Sequence, residues 1–301
     1  MNHRAITLVA LAFALLGLSG GAQAADKLKA VASFSILADM VRNVGGDRVD
    51  VTALVGPDGD AHVYEPTPAD ARNVAAAKIL FVNGLGFEGW MDRLEKSSGF
   101  EGKLVVASKG VQPRQMVEAE GGKTEEITDP HAWQSLANGK LYVANIRDGL
   151  IAVDPDGKAT YAANAAKYLG QITAEETAVQ EALGKLPAER RKIITSHDAF
   201  GYFGAACGLE VIAPEGVSTE SEASAQDVAK IIRQIKAEKI PAVFMENITD
   251  HRLLDQIASE TNAKIGGTLY TDALSGADGP AGTYLDMFRH NVGTLTAALS
   301  S

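Results

Sequence analysis

Apolar residues along this chain follow two different spacings, and the spacings take turns. Leu28–Phe34 alternates apolar with other residues and predicts a strand, and around Ile36–Val44 the spacing becomes helical. Val51–Val55 predicts a second strand, Ala69–Ala76 a helix, Ile79–Asn83 a short apolar strand, Phe87–Lys96 a helix and Leu104–Ala107 another strand. The rhythm returns later. Lys192–Thr195, Glu210–Ala213, Ala242–Glu246 and Lys264–Tyr270 predict strands, with helices over Ala225–Glu238 and Arg252–Thr261. In the first of these helices Val228, Ala229, Ile231, Ile232 and Ile235 share one face. Short strands alternating with helices specify parallel sheets covered on both faces. The expected fold class is α/β: two lobes, each a mostly parallel sheet flanked by helices.

One longer pattern separates the halves. After Asp154-Pro155-Asp156-Gly157, apolar positions fall at Tyr161, Ala165, Tyr168, Ile172, Val179, Leu183 and Leu186, with a polar gap near Glu175 and Glu176. Gly184 and Pro187 mark its end. A helix of roughly 30 residues spans about 45 Å, which suits a stiff strut joining two lobes. The alternative is an ordinary helix interrupted at Gly170. The expected organisation is a leader over 1–24, an N-terminal lobe over 25–150, a linking backbone helix over 151–188 and a C-terminal lobe over 189–301. Gly121-Gly122-Lys123-Thr124-Glu125-Glu126 is polar and predicts a mobile loop.

The leader differs from everything after it. His3 and Arg4 precede an apolar run from Ala5 to Leu18, and Ala22-Gln23-Ala24 has the small-x-small form of a cleavage site. This pattern predicts a secretory signal peptide cut after Ala24. The run is short for a membrane span, which takes about 20 residues. With no cysteine beside the cut to carry a lipid, the expected product is soluble and, in a cell with an outer membrane, periplasmic. The formal net charge of −10 argues against a nucleic-acid partner. Cys207 is the single cysteine, so no internal disulfide forms; its apolar surroundings predict a small buried hydrophobe.

Six histidines remain to be placed. His3 leaves with the leader, and the charged helical contexts of His251 and His290 predict surface positions. The other three sit in turns. His62 follows the strand Val51–Val55 through a Gly/Asp/Pro loop, His131 follows the mobile loop, and His197 comes straight after Lys192–Thr195. Asp272 takes a matching place after Lys264–Tyr270. Ligands of open α/β sheets bind outside the carboxyl ends of the strands. With two groups from each half, these four residues suit a cleft between lobes. Three imidazoles and one carboxylate form a tetrahedral donor set for zinc. Lone loop histidines are more often merely solvated, so the spacing alone leaves the metal open.

At these residues the sequence resembles a known family, the cluster A-I (cluster 9) metal-binding proteins of ABC importers. The matching stretches are Asp60-Ala61-His62-Val63-Tyr64-Glu65-Pro66-Thr67-Pro68, Asp129-Pro130-His131-Ala132-Trp133, Thr195-Ser196-His197-Asp198-Ala199-Phe200-Gly201-Tyr202 and Tyr270-Thr271-Asp272, with Asp154-Pro155 before the long helix. They occur in order across essentially the whole chain after the leader. The resemblance implies two lobes on one backbone helix, a metal between them, and His62, His131, His197 and Asp272 at the ligand positions. Family members with histidine at the third position look zinc-directed and those with glutamate look manganese-directed. His197 therefore implies Zn(II) as the transported ligand, in keeping with the preference of manganese for oxygen donors. Manganese or iron(II) is the alternative cargo. The implied partner is the membrane permease of an ABC importer, and a monomer is expected.

The chain departs from the resemblance twice. Val117–Thr128 lacks the histidines that many zinc-directed members carry before the second ligand and has Glu118, Glu120, Glu125 and Glu126 instead. That suggests a periplasmic zinc chaperone docking near this segment. Gln134-Ser135-Leu136 also stands where the family usually has a leucine and a nearby proline. Glu246 and Asp198 are candidates for orienting imidazoles, and protons are expected to compete for the rings near pH 6–7. The rival class is a zinc hydrolase with His62, His131 and His197 on the metal and Asp198 or Glu65 as base. No paired histidines on one helical turn support it.

Overall fold

The computed structural model describes residues 26–120, 123–220 and 223–300; the leader read from residues 1–24 lies outside them. The first lobe runs β1 (Leu28–Phe34), α1 (Ser35–Gly45), β2 (Val49–Val55), α2 (Pro68–Ala76), β3 (Ile79–Val82), α3 (Met91–Ser98) and β4 (Lys103–Val106). Its sheet is parallel throughout, in the order β2-β1-β3-β4. β1 reads as an alternating strand, yet every residue from Ala30 to Phe34 is buried. A central parallel strand is covered on both faces, so its polar member, Ser33, needs an internal partner; its hydroxyl donates to Glu88 at 2.6 Å. α2 starts where the chain supplies a capping box, Thr67 with Asp70, and Pro68 in the first turn.

The second lobe repeats the plan. β7 (Lys192–Ile194), α6 (Gly201–Cys207), β8 (Glu210–Ile212), α7 (Ala225–Glu238), β9 (Ala242–Glu246), α8 (Arg252–Glu260) and β10 (Lys264–Leu269) build a second parallel sheet, ordered β10-β9-β7-β8. Counted from each lobe's first strand the two orders are the same. Each sheet therefore has its switch point between its first and third strands, where loops diverge and leave a crevice.

Between the lobes come β5 (Gln115–Glu120), β6 (Lys123–Thr128), α4 (Leu136–Val153) and α5 (Lys158–Gly184); α9 (Tyr284–Leu299) closes the chain. Two expectations change here. The segment expected as a mobile loop forms an antiparallel hairpin, paired from Gln115↔Thr128 to Glu120↔Lys123. Its polarity hid β-branched residues on either side of a Gly-Gly pair, which is itself a two-residue hairpin signal. The long helix is 27 residues, about 40 Å. It passes Gly170 without a break, held by the buried Tyr168 and Ile172 on either side. Its polar gap joins helices: Glu175 is buried and accepts from Arg289 of α9 at 2.8 Å, and Glu176 accepts from Lys140 of α4 at 2.6 Å.

One hydrophobic core runs through both lobes. It passes from β1 and α1 through Tyr161, Ala165, Tyr168, Ile172, Val179 and Leu183 of α5 to Phe203, Leu269, Phe288 and Leu299. A second, smaller cluster lies under α7 and α8, around Ile231, Ile235, Val243, Leu254 and Ile257. α4 comes close to α9 at Gly139, where an added Cβ would stand 2.6 Å from the Tyr284 hydroxyl. Tyr284 is fully buried and donates to the Trp133 carbonyl at 2.6 Å, so it has no free space to retreat into. Gly139→Ala gains about 1 kcal/mol of helix propensity but overpacks a rigid contact at about 1–3 kcal/mol. The expected result is a lower thermal unfolding midpoint; a midpoint at or above that of the unsubstituted chain would show that Tyr284 yields freely.

Candidate metal centre

The strand ends deliver the site. His62 stands in the loop after β2, His197 directly after β7 and Asp272 directly after β10. His131 is carried by the segment after β6, which is held to the first sheet where Asn83, just past β3, donates to the Pro130 carbonyl at 2.9 Å. The four side chains meet. His62 Nε2 is 3.3 Å from His131 Nε2, and Asp272 Oδ2 lies 3.1 Å from His62 Nε2, 3.2 Å from His197 Nε2 and 3.6 Å from His131 Nε2. All four donor atoms fall within 4.8 Å of one another. His131, His197 and Asp272 have no solvent exposure, and His62 has 8%. Donors about 2.05 Å from a tetrahedral centre stand about 3.3 Å apart, so the short separations already match the edges of such a site. Asp272 Oδ1 is buried without a partner, an acceptor that a cation would satisfy.

Two of the rings are steered from behind. Asp129 Oδ1 lies 2.9 Å from His131 Nδ1 and accepts the His131 backbone N–H at 2.9 Å. Glu246 accepts the backbone N–H groups of Ser196 at 2.7 Å and His197 at 3.0 Å through Oε1, and its Oε2 stands 2.5 Å from His197 Nδ1. That last approach is an ion-pair contact between two fully buried groups. A carboxylate on the far nitrogen fixes the tautomer and aims Nε2 inward. His62 is fixed through its backbone, which donates to Asp60 Oδ1 at 2.9 Å, while Asp60 Oδ2 accepts from Thr219 of the second lobe at 2.6 Å.

Glu246 thus holds an imidazole as the sequence suggested, and Asp198 does not. Asp198 is half-buried, and burial with the nearby charge of Asp129 pushes its carboxyl up to about 6. Asp129 was missed, although a carboxylate two residues before a turn histidine is placed to bond both its backbone and its ring. His251 is exposed as expected. His290 is half-buried instead, its Nε2 2.9 Å from the Thr268 carbonyl, because α9 folds back on β10. Cys207 is half-buried rather than fully enclosed, and burial raises its thiol to about 11.

Burial opposes charge throughout the cluster, and the local charges decide which groups resist it. Burial lowers His62 below its ordinary value. Burial would lower His131 as well, but the charges of Asp272 and Asp129 outweigh it and lift the ring to about 9. Glu246 and Asp272 likewise raise His197 well above its ordinary value. Burial would raise Asp272, yet His131 and His197 hold it far below the usual carboxylate range. The surrounding carboxylates therefore favour the protonated forms of His131 and His197 while no metal is bound. Proton competition reaches above the expected pH 6–7 window, since His131 keeps its proton up to about 9.

Fold and cluster together define a two-lobed protein that binds a divalent metal ion. Residues 30–298 match the family described as the periplasmic zinc-uptake complex component A (ZnuA), and the chain belongs to that family. The manganese-binding lipoprotein MntA of Halalkalibacterium halodurans is 34% identical over 282 residues, covering 94% of this chain and 92% of that protein. The iron-binding protein YfeA of Yersinia pestis is 34% identical over 271 residues, covering 90% of this chain and 86% of that protein. The solved periplasmic zinc-binding protein TroA of Treponema pallidum superposes with a TM-score of 0.84 at 31% identity, covering 91% of this chain and 99% of that one. The family supplies substrate-binding components of metal importers, and its members carry different metals in their names. Among the described residues no helix is long and apolar enough to cross a membrane.

A metal held by His131 and His197 would compete with protons on both rings, whose protonated forms the nearby carboxylates favour. Binding is expected to release roughly two protons, and affinity to climb by roughly two log units per pH unit below the raised values. Calorimetric titration in buffers of different ionisation enthalpy measures this directly; zero release would mean that both rings are neutral before metal arrives.

Proposed function

We propose that this chain is the periplasmic zinc-capture component of an ABC importer. In this reading Zn(II) is bound as cargo by His62, His131, His197 and Asp272 in the interlobe crevice and is then delivered to a membrane permease. The observation that carries the proposal is the convergence of three Nε2 atoms on one buried carboxylate oxygen. Three nitrogens and one oxygen suit zinc better than manganese, which prefers oxygen donors. Four protein donors complete a tetrahedral shell and leave no position for a reactive water. That favours capture over the zinc-hydrolase alternative. The leader over 1–24 supports export, and relatives are named as periplasmic proteins or lipoproteins. The protein acts as a monomer in this scheme.

Manganese or iron(II) is a second reading with its own support. Manganese recurs in the names of relatives from Halalkalibacterium and several streptococci, and iron in that of the Yersinia protein. The unpartnered Asp272 Oδ1 could add a fifth donor, which larger or harder ions accept more readily.

Chelator-stripped protein titrated by competition against a chromophoric chelator, with zinc and manganese in parallel, decides between them. The expected result is one tight zinc equivalent and much weaker manganese binding. Comparable affinities would turn the cargo toward manganese, and no tight equivalent of either would remove the site. His131→Ala and His197→Ala should each weaken zinc binding by roughly 100-fold or more, since losing even an orienting partner costs 10- to 100-fold.

The hairpin of β5 and β6 is the proposed docking place for a zinc chaperone. Deleting residues 119–127 should slow zinc uptake from a protein donor while leaving uptake of free zinc unchanged. Equal uptake from every donor would exclude that role.

A further inference from the structure

The two segments that bring His131 and Asp272 together are tied directly to each other. Trp133 Nε1 donates to the Thr271 carbonyl at 2.9 Å, and Gln134 Nε2 donates to the same oxygen at 2.8 Å. A carbonyl oxygen has two lone pairs, so these two donors saturate it. Thr271 immediately precedes Asp272; Trp133 and Gln134 follow His131 within one turn of 3₁₀ helix. The far side of the Asp272 turn is also fixed across the lobes. The Leu274 N–H donates to Ser35 Oγ at 3.0 Å, and the Asp58 N–H donates to the Leu274 carbonyl at 2.9 Å.

Trp133 has a second reason to be where it is, since its ring packs against Phe34, Phe87 and His131. Gln134 has no such packing role. It is 1% exposed and helps line a small, mixed cavity with Leu136, Val179, Phe203 and Phe288 and the polar Glu176 and Gln180. A buried amide costs stability unless it is hydrogen-bonded, and a leucine or methionine would fill the same space. What the amide adds is the bond to Thr271.

We propose that Gln134 is a positioning residue for metal retention: its amide latches the Asp272 turn to the His131 segment, so that Asp272 is slow to swing away from a bound ion. The latch acts on release more than on capture. It holds the turn that carries the carboxylate and makes no side-chain bond to His62 or its loop. The inference rests on the four-residue site proposed above.

The test substitutes Gln134→Leu and Gln134→Met, both close to glutamine in size and without a donor. Zinc dissociation is followed by stopped flow into excess chelator, and association by mixing metal-free protein with zinc. One buried neutral hydrogen bond corresponds to about a fivefold change in an equilibrium. Both variants should therefore lose zinc about fivefold faster with an unchanged association rate. In the metal-free chain, amide hydrogen exchange over residues 271–274 should also be faster than in the unsubstituted protein. A dissociation rate unchanged in both variants would overturn the latch, even if their melting temperatures fell, since a purely structural role moves only stability. Equal rises in both rates would also overturn it. If the unsubstituted chain binds no zinc tightly, the site proposal fails by itself, and the amide-exchange comparison still decides the latch. Exchange unchanged in both variants then counts against it.

Discussion

A carboxylate with no access to water stands at the centre of this molecule, and its charge has to be answered. Asp272 is fully buried, with three imidazoles around one of its oxygens and nothing on the other. An uncompensated charge in such a place costs several kcal/mol. Without metal, the protons on His131 and His197 answer it; the carboxylates of Asp129 and Glu246 hold those protons on the rings. In the proposed site a divalent ion would take the place of those protons in answering the charge of Asp272.

The fold meets that demand by using one construction twice. Each sheet places its first strand inside and opens a crevice between its first and third strands. His62 follows the second, outer strand of its lobe, whereas His197 follows the first, inner strand of the other. α5 then fixes how the crevices face. Its apolar stripe belongs to a core shared by both lobes, and its acidic residues pair with α4 and α9. The ion pairs are partly exposed and contribute little energy; the continuous core is the stiff element. A hinge through it would have to break apolar packing. Motion that admits or releases a metal is therefore better supported by the turns at the strand ends, which are held by a few hydrogen bonds each.

Much of this could be read in the sequence, and the failures share a cause. The parallel strands, α7 and the strut appear as apolar periodicity, because burial on one face or both leaves a direct mark. Ser35 and Asp39 are buried in α1 and bond to Leu274 and Tyr284 of the other lobe, yet their polarity gives no hint of it. The hairpin was misread for the same reason in reverse: polar composition was taken for absent structure, while its backbone pairing is indifferent to which side chains face water. Asp129 went unnoticed because a carboxylate steering a histidine looks like any turn aspartate until the ring's direction is known. Contacts across the lobes leave no local trace, since neither partner's neighbours in sequence need anything special.

Shape alone does not choose the metal. The donor separations fit a tetrahedron, but a flexible cluster of the same residues would close on several divalent ions, and intrinsic affinities rise from manganese through iron to zinc regardless of geometry. Selectivity against the weaker binders follows from the donors without further design. Selectivity for a weaker binder would require the site to resist contraction around zinc, for instance by holding Asp272 where both of its oxygens reach the ion. The bonds on either side of Asp272 bear on that choice. Thr271 is held from the His131 segment, Leu274 from α1 and from Asp58 in the His62 loop. A turn pinned at both ends lets the carboxylate rotate about its own bond but not advance. In the proposed site, whether the ion meets one oxygen or two would then depend on these four hydrogen bonds outside the donor set, and discrimination between metals would rest on that clamp as well as on the identity of His197.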